Sequence, residues 1–240
     1  MKIVTVIPKK KGIGKETLSY FTSKDIELGQ IVEIPIRSKK TFGLVVEKKD
    51  AEEMKSEIKS LPYSIKKIDE IKNFSFISKE FVDSAKKIAD YNATTTGAVL
   101  SSLIPKIILE ECENLKYEEK TKPKQTFHET LLLQSDDEER FSTYKSLIRE
   151  EFAKNRSVFF CMPTTEDILN AKEILEKGIE KYTYVLHTSL PKKEITDTWK
   201  KLTEENHPVL IISTGTFLSL PREDLGVIIL EKESSRGYKM

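Results

Sequence analysis

Two stretches carry most of the chemistry this sequence offers. The first, Gln134 to Tyr144 (QSDDEERFSTY), follows the apolar run Leu131-Leu132-Leu133 and opens a helix-like segment, the place where a nucleotide-binding protein puts its phosphate loop. Such a loop needs glycines, so that successive backbone N–H groups can close round the phosphates, a lysine for the terminal phosphates and a Ser or Thr for magnesium. Asp136, Asp137, Glu138 and Glu139 stand there instead, with no glycine among them. Each close pair of like charges costs on the order of several kcal/mol at an effective dielectric near 20, so four carboxylates beside a triphosphate repel it. The second stretch is Arg37-Ser38-Lys39-Lys40, a basic turn joined by Lys9, Lys10, Lys11 and Lys15 from an earlier loop. Clusters of this kind contact phosphates without reading base sequence, although a solvated lysine-rich surface has the same composition. Gly12-Ile13-Gly14-Lys15-Glu16-Thr17 imitates a phosphate loop, but Lys9 stands five residues before Gly14 and Glu16 holds the Ser/Thr position, so it reads as a basic loop.

The elements that carry these residues fall into two textures. Residues 1 to 50 alternate short β-rich runs with turn residues: KIVTVIP, TLSYF, then QIVEIPI and TFGLVVE on either side of the basic turn. This spacing predicts a small antiparallel barrel or sheet, with Gly29 and Gly43 at turns or bulges. Ser78 caps a helix to about Tyr91 whose buried face is Phe81, Val82, Ala85, Ile88 and Ala89, and a second helix from about Gly97 to Leu103 stops before Pro105. Residues 110 to 126 are charged, poor in apolar side chains and marked by Pro123, which reads as a linker. Beyond it, Leu131–Leu133 and four further apolar strand-like runs alternate with helix patterns, the signature of a parallel sheet covered by helices.

Composition narrows the function. Forty basic and thirty-nine acidic residues give a net charge of +1, so any nucleic-acid contact must come from a local patch. Cys112 and Cys161 stand far apart, and three scattered histidines add no metal-ligand spacing, so no metal or cofactor is expected. No segment approaches the roughly 18 apolar residues of a membrane span, and the chain reads as cytoplasmic with no membrane partner.

Taken in order, the segments resemble the primosomal protein N′ (PriA) family, superfamily 2 helicases that restart stalled replication forks. Leu18-Ser19-Tyr20 lies at its Phe-Asp-Tyr motif, Gly29-Gln30-Ile31-Val32-Glu33-Ile34-Pro35 at its Gly-x-x-Val-x-Val-Pro strand, and Phe42-Gly43-Leu44-Val45-Val46 after its basic turn. Ala89-Asp90-Tyr91-Asn92, Gly97-Ala98-Val99-Leu100 and Ile104-Pro105 complete the N-terminal match. In the second half Leu186-His187-Thr188-Ser189-Leu190, Trp199, Pro221, Leu225-Gly226 with Ile228 and Ile229, and Tyr238-Lys239 follow the family's first helicase lobe. The family's winged-helix domain, second lobe and zinc cysteines have no counterpart.

The resemblance implies an α/β protein overall: a small β-rich, barrel-like 3′ DNA-binding domain with helices at 1–105, a linker at 106–126, and a RecA-like parallel-sheet lobe at 127–240, incomplete and degenerate. It implies a DNA pocket where Leu18, Ser19 and Tyr20 meet Gly29 and the basic turn, with Arg37, Lys39 and Lys40 on phosphates and Lys66 at the position of a lysine the family uses near that pocket. Tyr20 either stacks on a terminal base or packs inside the barrel. Leu18 and Ser19 replace the family's aromatic and aspartate, which removes that acid's hydrogen bond to a 3′ hydroxyl. In family register Gln134, Asp137 and Glu139 stand at phosphate-loop glycines, Arg140 at the lysine and Phe141 at the threonine, while Glu231-Lys232-Glu233-Ser234 replaces Asp-Glu-x-His. Glu231 keeps a metal-binding carboxylate, but Lys232 takes the place of the acid that activates water. The expectation is therefore a DNA-binding protein for forks or 3′ ends, with replication proteins as further partners and no ATPase. An interaction scaffold and a fragment of an active helicase are the alternatives.

Overall fold

The computed structural model describes residues 1–51, 64–72, 76–111, 115 and 129–238. Cys112, Lys239 and the expected linker from 112 to 126, Leu115 excepted, lie outside the described residues. The chain divides into two compact units, Met1–Tyr117 and Glu118–Met240.

The first unit is built on antiparallel strands β1 (Lys2–Pro8), β2 (Leu18–Thr22), β3 (Ile31–Ile36) and β4 (Lys39–Asp50), with two short strands, β5 (Lys66–Lys67) and β6 (Glu70–Lys72). Alternation sets their faces: Val4, Val6, Tyr20, Val32, Ile34 and Val45 turn inward and form one core with Ile26 and Ile68. The sheet order is β5-β2-β1-β4-β3-β6. Because β5 and β6 adjoin in sequence yet sit at opposite edges, the sheet curls into a half-barrel. Ile68 N–H donates to Phe21 O at 3.0 Å and Asp69 N–H to Glu33 O at 3.0 Å across the gap.

Three helices complete this unit: α1 (Lys79–Tyr91), α2 (Thr96–Leu103) and α3 (Lys106–Glu110). Ser78 caps α1 as expected, its hydroxyl accepting from Phe81 N–H at 3.2 Å. Only Ala85 and Ala89 are fully buried on the expected apolar face, and Ile88 is 38% exposed. The expected linker opens with α3, whose Ile108 and Leu109 are buried. The start of α2 presses on the end of β1 so closely that a Cβ on Gly97 would collide with the carbonyl oxygen of Pro8.

The second unit holds α4 (Asp137–Ala153), β7 (Ser157–Cys161), α5 (Thr165–Leu175), β8 (Thr183–Leu186), α6 (Lys192–Glu204), β9 (Leu210–Ser213) and β10 (Leu225–Leu230). The strands are parallel in the order β10-β7-β9-β8, a RecA-like arrangement with the fold class the sequence implies. Every residue of β7 and β9 is buried, which their unbroken apolar runs anticipate.

Leu131–Leu133 departs from expectation. No strand forms there; the three leucines are 77%, 87% and 42% exposed. A run of three apolar residues becomes a strand only when a neighbouring edge takes its backbone groups, and among the described residues none does. At β10, Ile228 and Leu230 are also exposed, so one face of that strand is uncovered.

The tight approach at Gly97 gives a direct test. Gly97→Ala is expected to destabilise the first unit by about 1–3 kcal/mol, the cost of overpacking against a backbone atom that cannot rotate away. Gly14→Ala, where an added Cβ meets nothing within 4 Å, serves as the neutral control. Urea unfolding midpoints of the two variants compare them.

Candidate nucleic-acid interface

Strand direction gathers the basic segments. In the first unit β1 ends, β2 begins, β3 ends and β4 begins at one end of the half-barrel, since Val6 faces Leu18, Pro8 faces Gly43 and Ile36 faces Lys39. The loop after β1 is pinned there: Lys9 N–H donates to Phe42 O at 2.9 Å and the Thr41 hydroxyl to Lys9 O at 3.4 Å. Its other end is tied by Glu16, whose carboxylate accepts from Thr96 N–H at 3.1 Å at the start of α2. The imitation phosphate loop is thus a basic loop anchored by its acid.

The β3–β4 hairpin turns on two residues, Arg37 and Ser38, and Arg37 has φ 55°. A side chain in this left-handed conformation costs roughly 1–3 kcal/mol unless its surroundings enforce it. Here two strands enforce it, and the guanidinium stands out in solvent with Lys39. Lys66 Nζ reaches the Arg37 carbonyl at 3.4 Å, so Lys66 and the hairpin tip are brought together. Lys40 lies 3.8 Å from Asp69 and 4.0 Å from Glu33, which offsets part of its charge.

The remaining pocket residues are placed differently. Tyr20 is only 4% exposed, inside the half-barrel core, and its hydroxyl donates to Pro35 O at 3.2 Å. Of its two expected roles, packing is the one its burial permits. Leu18 packs against the same core and Ser19 is half-buried opposite Thr5. Gly29, at φ 82°, turns the chain into β3, and its N–H donates to Val45 O at 2.8 Å. The whole length of β3 separates it from the hairpin, so the two are not assembled into one pocket.

Lys9 is the group the sequence undervalued. Burial pushes its ammonium down to about 8, helped by the neighbouring charge of Lys106. Among the described residues it has no carboxylate partner. Lys9 is thus a half-buried cation at the basic end, and no sequence pattern marks it.

In the second unit the acid run becomes a helix start. Asp136 caps α4, accepting from Glu139 N–H at 2.9 Å, and Asp137, Glu138 and Glu139 fill the first turn, where carboxylates are stabilised by the helix dipole. Arg140 donates to Glu231 at 2.9 and 3.0 Å, to Asp137 at 2.7 Å and to the Ser135 carbonyl at 2.8 Å. Glu231 is 3% exposed and also accepts from the Tyr144 hydroxyl at 2.5 Å. The bonds to Glu231 and Asp137 hold the Arg140 guanidinium charged, and burial together with the hydrogen bond to Glu231 pushes the Tyr144 hydroxyl up. Phe141 packs into the core beside Tyr144 and Phe160. Lys232 pairs with Asp167 at 2.6 Å, and Glu233 is exposed. Burial pushes the Cys161 thiol up to about 11, which makes it a packing residue. Among the described residues no group of three metal-type side chains could hold a metal ion, and no helix is long and apolar enough to cross a membrane.

The two units therefore combine a half-barrel with a basic end and a RecA-like parallel lobe. Residues 6–105 match the family model of the PriA 3′DNA-binding domain. Over 92% of its length the chain is similar to replication restart protein PriA, 23% identical in Helicobacter pylori and 22% in Rickettsia conorii. It spans 36% of those relatives, about a third of their length. The resemblance to PriA read from the sequence is borne out.

Two outcomes test these charges. Arg140→Met leaves Glu231 buried without its cation and is expected to cost about 3–5 kcal/mol, whereas Arg140→Met combined with Glu231→Leu recovers most of it; chemical denaturation measures both. For Lys9 the folded value lies below the ordinary lysine value of 10.5, so between about pH 8 and that value the unfolded chain holds the extra proton. Stability of the first unit is therefore expected to rise with pH across that window, and Lys9→Met to remove that part of the rise.

Proposed function

We propose that this protein binds branched or 3′-ended DNA in replication restart through residues 1–105, and that residues 127–240 form a helicase-derived lobe that does not hydrolyse ATP. The assembly of Arg37, Lys39, Lys66 and the Lys9–Lys15 loop at one end of the half-barrel, within the segment that matches the 3′DNA-binding domain, carries the reading. These cations contact phosphates, and the embedded Lys9 gains the most from one, since an adjacent anion offsets its desolvation. Leu18 and Ser19 offer no carboxylate to a terminal hydroxyl, so recognition of a strand end falls to backbone groups beside them.

The non-hydrolysing lobe is supported by the ion pair of Arg140 with Glu231. The cation at the phosphate-lysine position and the carboxylate at the metal position satisfy each other, and the helix N-terminus between them is filled by its own acids. A nucleotide would have to displace both arrangements. The curated relatives carry the name replication restart protein, which supports forks as the setting.

Fluorescence anisotropy with forked DNA at two salt concentrations tests the proposal. Forks with a free 3′ end are expected to bind more tightly than blocked ones. Arg37→Glu with Lys39→Glu is expected to weaken every DNA and lower the salt slope by about one per lost phosphate contact. Equal, weak and salt-insensitive binding would refute the DNA reading. ATP turnover that disappears in Glu231→Gln would refute the inactive lobe.

A further inference from the structure

Tyr91 is 91% exposed, the highest value among the large apolar side chains of the described residues. It ends α1 one turn after Lys87 and Ile88, both exposed, so the three side chains share a helix face. The backbone beneath the ring is fixed on every side. Asn92 N–H donates to Ile88 O at 3.0 Å and its side chain donates to the same oxygen at 2.9 Å. Thr94 N–H closes the turn on Ala89 O at 2.9 Å, with Ala93 held at φ 50° between them. An aromatic ring on so ordered a support loses little freedom when something covers it.

Its surroundings indicate what that is. Five residues after Tyr91, Thr96 N–H is bonded by Glu16, the last acid of the loop that carries Lys10, Lys11 and Lys15. Gly97 lies against the Pro8 carbonyl at the end of β1, and five residues span at most about 17 Å, so the ring lies within that reach of the anchor of the basic loop. Asp90, the next position round the helix, is the nearest opposing charge on α1 and lies roughly 100° away from the Tyr91 face. An exposed ring among cations takes a flat, uncharged group flanked by negative ones.

Resting on the DNA reading above, we infer that Tyr91 is a stacking platform for an unpaired base of single-stranded DNA, with the flanking phosphates taken by Lys87 on one side and by Lys10 and Lys11 on the other. It supplies the aromatic surface that Tyr20, inside the core, does not. Base–aromatic stacking is worth about 1–3 kcal/mol, a factor of about five to about a hundred in affinity.

Binding of a single-stranded oligonucleotide and of a blunt duplex to the full chain, followed by anisotropy, tests it. Tyr91→Ala is expected to weaken the single strand by that factor and to leave the duplex unchanged, while Tyr91→Phe keeps wild-type affinity. Because the ring is exposed the variants fold, and a bromouracil-containing strand is expected to cross-link to the peptide holding Tyr91. A single-strand affinity unchanged in Tyr91→Ala, with wild type binding normally, overturns this inference alone and leaves a protein surface as the occupant. Absence of binding by wild type overturns it together with the DNA reading.

Discussion

Residues 66–72 hydrogen-bond to β2 at one end and to β3 at the other, and because β1 and β4 lie between those edges, the sheet has to curl until they meet. That single strand crossing sets the rest of the binding unit. It places Lys66 level with Tyr20 and within reach of the Arg37 carbonyl, and it seals Tyr20, Ile26 and Ile68 into one core. It also satisfies both free edges of the main strands, which would otherwise offer unpaired backbone to other chains. Loops at the open end can then carry charge without carrying the fold.

The second unit obeys a different constraint, the economy of a helix N-terminus. Four backbone N–H groups at the start of α4 need acceptors, and either an anion or the chain's own side chains can supply them. Asp136 supplies one, accepting from Glu139 N–H, and the first-turn acids add negative charge where the helix dipole favours it. Arg140 links that end to Glu231: it donates to the Ser135 carbonyl and to Asp137 as well as to the buried carboxylate, whose burial makes a cation obligatory. Acid run, arginine and buried glutamate form one hydrogen-bonded assembly at the start of α4.

Much of this was legible in the sequence. Period-two alternation located β1 to β4, unbroken apolar runs located β7 and β9, and Ser78 announced the start of α1, because each depends on neighbours a few residues away. What depends on distant partners was not. Leu131–Leu133 has a strand's composition but no edge to join. Tyr20 and Tyr91 are the same residue type in similarly apolar surroundings, yet one is sealed in the core and the other bare, a difference made by sheet curvature and by the end of a helix. Gly29 and the hairpin adjoin in sequence but stand at opposite ends of a strand. The basic turn was evident from composition, whereas the left-handed Arg37 and the desolvated Lys9 follow only from the fold.

Those last two residues separate the working end from the rest. A long cationic side chain at φ 55° where glycine would be unstrained, and an ammonium held out of water without a carboxylate, both raise the energy of the free protein. The two strands of the hairpin enforce the first, and among the described residues no carboxylate pairs with the second. In the second unit Arg140 pairs with Glu231 and Lys232 with Asp167, and Lys232 too stands in the left-handed region, at φ 53°. An anion settling at the end of the half-barrel would offset the desolvation of Lys9 and meet the exposed side chain of Arg37.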